Sequence, residues 1–139
     1  ELHYVRPLPE DDGSAVPDAF KKINLSLTSF FDLSLIIEGN MLTLTGKDGE
    51  IWYRAERGCW SKISRKVHCS PFYTEKDSMD TPVIGAWGVK NGALTIRVYE
   101  IEFLEEDTLT LTEAEDGIHV SFANTTIPSN PNEYVKKVI

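Results

Sequence analysis

The chain predicts an all-β fold, an antiparallel meander of about eight strands curled into a barrel or half-barrel. Three observations carry that prediction. Leu42-Thr43-Leu44-Thr45 and Leu109-Thr110-Leu111-Thr112 write the same alternating phrase twice, and each copy runs on into an Asp-Gly pair. Period-two alternation sets one residue series on a core and the other in water. Asn91-Gly92 stands between two further alternating runs, which is the strongest short hairpin signal. The runs follow one another at short spacing, as in meander sheets. The surroundings of the two phrases do not align, so convergence on good strand and turn residues explains them better than an internal duplication.

Taken in order, residues 1–24 read as a linker or irregular N-terminal arm. Pro7, Pro9, Gly13 and Pro17 break regular structure around the acidic run Glu10-Asp11-Asp12. One helical turn is expected between Asp18 and Ile23. Residues 25–139 then form a single β-domain. Leu33, Leu35 and Ile37 share a face and turn at Gly39-Asn40; Leu42 and Leu44 return on that face and turn at Lys47-Asp48-Gly49. Ile51 and Tyr53 continue, with Trp52 and Arg54 opposite. A strand is expected from Trp60 to Val67, followed by a long loop at about 68–82. Order returns at Val83–Val89. Beyond Asn91-Gly92, Leu94, Ile96 and Val98 alternate with Thr95, Arg97 and Tyr99. Thr108–Thr112 and Ile118–Phe122 flank the turn at Asp116-Gly117, and the tail around Tyr134 adds an edge strand.

A length of 139 residues is enough for one domain with its own core, and 41 % apolar residues exclude disorder as the main state. The formal charge of −8 argues against nucleic acid, whose binding draws on clustered Lys and Arg. No apolar run approaches the roughly 20 residues needed to span a bilayer. The opening Glu1-Leu2-His3-Tyr4-Val5-Arg6 has neither the basic start nor the apolar stretch of a signal peptide, and reads as the start of an excised fragment. Cys59 and Cys69 leave two readings open, ordinary thiols or a disulfide. A structural metal site wants a close Cys-x-x-Cys pair that this sequence lacks, so no metal and no cofactor are expected.

Chemistry is sparse. Neither Ser-x-x-Lys nor Gly-x-Ser-x-Gly occurs. His3, His68 and His119 lie far apart, and His119 alternates with Ile118 and Val120, which aims it at solvent. Glu100, Glu102, Glu105, Glu106 and Asp107 read as a solvated acidic face, because Ile101 and Phe103 take the other side. The better binding candidates are aromatic: Trp52, Trp60, Trp87 and Tyr99, with Arg97, are expected to line one concave side where a sugar or apolar small molecule could stack.

The series Gly85-Ala86-Trp87, a turn, Leu94–Glu100, Thr108–Leu111 and Asp116-Gly117-Ile118–Phe122 resembles the C-terminal β-domain of bacterial serine hydrolases of the β-lactamase and penicillin-binding-protein type. Glu38-Gly39-Asn40-Met41-Leu42 is similar to that family's opening hairpin. The resemblance implies a lipocalin-like, non-catalytic accessory domain. Its partner would be a hydrolase domain of the same parent chain, which carries the serine, in an extracytoplasmic, periplasmic setting. In the family a small residue and proline commonly follow the strand glutamate, whereas Glu100 leads into Ile101-Glu102-Phe103. The alternative from the residues themselves is a stand-alone barrel that binds a small apolar or sugar ligand.

Overall fold

A computed structural model describes residues 7–28, 31–46, 49–68, 78–100, 105–124 and 132–136. Ten strands follow a single 3-10 turn at Asp18–Phe20: β1 (Lys22–Thr28), β2 (Phe31–Glu38), β3 (Met41–Thr45), β4 (Ile51–Glu56), β5 (Ser61–His68), β6 (Ser78–Lys90), β7 (Ala93–Glu100), β8 (Glu105–Ala114), β9 (Gly117–Asn124) and β10 (Asn132–Lys136). They form two antiparallel sheets, a four-stranded one in the order β1-β2-β3-β4 and a six-stranded one in the order β10-β9-β8-β7-β6-β5. Every neighbour in a sheet is a neighbour in sequence, so the meander holds throughout. The chain changes sheets once, between β4 and β5.

Turn chemistry fixes the registers. Asn91 and Gly92 both have positive φ, 53° and 78°, the twist a two-residue hairpin needs. That turn sets Leu94 opposite Val89 and Ile96 opposite Trp87. Gly39, at φ 59°, serves β2 and β3 in the same way, pairing Ile37 with Leu42 and Leu35 with Leu44. A one-residue slip in either hairpin would turn its apolar set outward.

The inner faces of the two sheets meet in one core. Leu35, Leu42, Leu44 and Tyr53 from the smaller sheet and Trp87, Leu94, Ile96, Leu109 and Leu111 from the larger are buried together. Two contacts lock the sheets at β4 and β6. The Trp87 indole N–H donates to the carbonyl of Ala55 at 2.9 Å. The Tyr53 ring lies so close over Gly85 that a Cβ there would sit 1.7 Å from Tyr53 Cε2. Phe20, fully buried at the 3-10 turn, adds to this core from outside the sheets.

Some boundaries differ from those the sequence predicts. β1 begins at Lys22. The polar stretch expected in the loop at about 68–82 is strand from Ser78 onward, paired with β5 as far as His68. Pro82 is tolerated there because, among the described residues, it pairs only with Ser64 while the ladder to β7 starts at Val83. Residues 69–77, Cys69 included, lie outside the described residues.

Candidate functional site

Strand parity decides where the five aromatic and basic candidates go, and it separates them. On β6, Val83, Gly85, Trp87 and Val89 face the core, and Ile84, Ala86 and Gly88 face outward. Trp87 is fully buried, with its N–H already bound, so none of it is left open to a ligand. Arg97 and Tyr99 lie on the opposite side of the same sheet, where Arg97 pairs with Ala86 and Tyr99 with Ile84. Trp52 alternates with the buried Tyr53 and packs half-buried against the edge of the core. Trp60 is half-buried just before β5. The five therefore occupy no common concave side; Arg97 and Tyr99 alone share one face of one strand.

The acidic stretch also departs from expectation. Glu100, Glu106 and Asp107 are 6–8 % exposed rather than solvated. Glu100 continues the parity of Leu94, Ile96 and Val98, opposite Val83, and Asp107 stands opposite Val98 on that inner face. Glu106 takes the outer face opposite Tyr99 and binds Arg97, whose Nε donates to Glu106 Oε1 at 2.6 Å while Nη2 approaches the same oxygen. Glu102 lies outside the described residues, as does His3. His119 meets Asp116 Oδ1 at 2.8 Å on the half-exposed outer face of β9, which holds the Asp116 carboxyl below its ordinary range. Cys59 is an exposed thiol in the turn between β4 and β5. Among the described residues no three His, Cys, Asp or Glu side chains are grouped to hold a metal ion. No helix of the described residues is long and apolar enough to cross a membrane.

The densest polar constellation is one the sequence reading did not single out. It lies on the outer side of β6, where the N-terminal arm crosses. β5 covers one edge of β6 only as far as Gly85, opposite Ser61. Beyond it the Trp87 carbonyl accepts from the Gly58 N–H and the Val89 carbonyl from the Asp12 N–H, both at 2.9 Å. Arg57 grips Asp11 through Nε and Nη2, each 2.8 Å from a carboxylate oxygen, and Nη2 also donates to the Ser14 carbonyl at 2.7 Å. The guanidinium carbon stands 5.8 Å from the centre of the Trp87 ring. Lys90 Nζ lies 3.2 Å from Glu10, and Arg97 Nη1 donates to the Pro7 carbonyl at 2.7 Å.

The acidic run is ordered from within as well. Asp11 Oδ1 accepts from the Gly13 N–H and Asp12 Oδ1 from the Ser14 N–H, at 2.7 and 3.0 Å. These are Asx turns, the local reason that Asp-Asp-Gly-Ser bends as it does. Asp12 Oδ2 accepts from the Asn91 N–H at 2.9 Å, tying the arm to the β6–β7 hairpin. The Arg57 fork holds the Asp11 carboxyl below its ordinary value. Bonds from Ser14 and Asn91 hold Asp12 at about 2. Gly88 makes the approach possible, since a Cβ there would lie 2.8 Å from the Glu10 carbonyl oxygen. Of this constellation only Arg97 and Trp87 belong to the sequence candidates, Trp87 through its carbonyl and the ring under Arg57. Asp11 and Arg57 are 46 positions apart, and no local pattern links them.

Compared with known proteins, the chain matches no family model, no curated protein and no solved structure.

Proposed function

We propose that this chain is a non-catalytic accessory β-domain that packs on a serine-hydrolase domain of the β-lactamase type in the same parent protein. On this reading the two sheets are the halves of a lipocalin-like half-barrel, and the setting is extracytoplasmic, as the family resemblance implies. The observation that carries the proposal is the fastening of residues 7–14 across β6 by Arg57, Lys90, Asn91 and Arg97. Neighbouring domains move relative to one another unless something fixes them. A connecting segment strapped to its own domain removes that freedom on one side, so the domain presents a constant face to its neighbour.

The test is direct. The pure chain should fold cooperatively and turn over neither a chromogenic cephalosporin nor p-nitrophenyl acetate, and the coding sequence upstream of Glu1 should contain Ser-x-x-Lys. Robust turnover by the pure chain, or a signal peptide immediately before Glu1, overturns the reading.

A further inference from the structure

The surface beneath the arm has the parts of a peptide-recognition groove. The Arg57 fork matches a carboxylate in two bonds, a geometry that a point-charge cation does not offer. Its stem is set by the main-chain bridge between Arg57 and Trp87 and by the Trp87 ring beneath it, so the fork is pre-organised. One strand-like main-chain bond, Asp12 N–H to the Val89 carbonyl, pins the bound segment to the open edge of β6. Lys90 and the Asn91 N–H read the acidic groups on either side. Gly88 supplies a floor without a side chain.

Two observations set this surface apart from ordinary core packing. Among the described residues, none of residues 7–14 belongs to the apolar core, whose first member is Phe20 with Val16 packed against it, and of the arm only Pro9 is buried. An open depression of about 330 Å³ lies between Glu10 of the arm and Lys90, Asn91, Ala93 and Thr95 of the hairpin, so the arm does not fill the surface it crosses the way a core segment would.

We propose that the outer face of β6 is a recognition groove for an acidic, extended polypeptide segment, and that residues 7–14 are its resident ligand. The mode combines edge pairing with acidic-motif reading by a fixed arginine. Tethering gives the resident segment a high effective concentration, so a segment in trans competes only when the arm is released or the competitor is abundant. The inference holds whatever domain adjoins the chain.

The experiment uses the full chain carrying a protease site inserted after Ala15, in the exposed link between arm and core, and cut after folding. A fluorescein-labelled peptide of residues 7–14 is added and its uptake followed by anisotropy. Saturable uptake is expected, weakened by salt, and weakened about fivefold when the peptide carries D11N. No uptake at millimolar peptide by a chain that stays folded overturns the proposal. So does equal uptake of the D11N peptide. Loss of the fold on cutting overturns it too, because the arm would then be part of the fold's foundation rather than a docked ligand.

Discussion

Strand β6 is held from both sides, and the two sides use different physics. Inward, Trp87 and Gly85 meet β4: an aromatic ring buried completely, a hydrogen bond to the Ala55 carbonyl, and a glycine that lets the edge of the Tyr53 ring come up against the backbone. Outward, Gly88 and Lys90 meet an irregular arm through ion pairs and main-chain bonds that stand partly in water. Apolar burial is non-directional and is not weakened by charge screening; the outer contacts are directional, charge-assisted and screened. The inner side therefore carries stability and the outer side carries specificity. Variants of the two sides should separate these roles.

The largest effect is expected inside. Trp87→Ala removes a fully buried ring and leaves the Ala55 carbonyl without its donor, at a cost of about 3–5 kcal/mol. Total stabilities of single domains run to about 5–15 kcal/mol, so this variant should lose a large share of its resistance to urea. A shift in the urea midpoint of the same size as that of an arm variant would break the distinction between the two sides.

How much of this was legible in the residues follows the same divide. Alternation and turn pairs mark the inner face well: Leu35, Leu44, Leu94, Ile96 and Leu111 all lie where their parity places them, because one sheet face is one periodic series. The burial of Glu100 was legible too, since it extends Leu94-x-Ile96-x-Val98 by one step, but its charge outweighs parity when the sequence is read alone. Grouping Trp52, Trp60 and Trp87 by residue type ignored both parity and sheet membership, and the fold sends them to different surfaces. The arm's attachment had no signal of either kind. Arg57 finds Asp11 only because the chain's single change of sheet brings the β4–β5 turn beside β6.

On the outer side the expected effects are smaller and depend on conditions. Asp11→Asn replaces a charge-assisted fork with a neutral contact. Because the pair is partly exposed, the loss should be about 1 kcal/mol and should shrink in high salt. It should also shrink in acid. The Asp11 and Asp12 carboxyls titrate below their ordinary values in the folded chain, Asp12 at about 2. The stability they supply is therefore complete above the unfolded value near 3.8 and is lost as pH falls toward about 2. The gap in Tm between the native chain and a D11N/D12N variant should narrow steadily from pH 5 to pH 2. A gap that stays constant over that range would show that the arm is held by its backbone bonds alone.

The smallest expected effect tests whether the inner side contains a polar defect of its own. The Tyr53 hydroxyl is fully buried and has no hydrogen-bond partner among the described residues, and burial pushes its pKa well above the ordinary phenol value. The ring is needed, since it fills the space over Gly85, but the hydroxyl contributes only a desolvation penalty. Tyr53→Phe keeps the ring and removes that penalty, so it should raise stability by about 0.5–1 kcal/mol, visible as a higher urea midpoint at an unchanged m-value. A lowered midpoint would mean that the hydroxyl is satisfied after all, and that the inner face, like the outer one, relies on a polar tie.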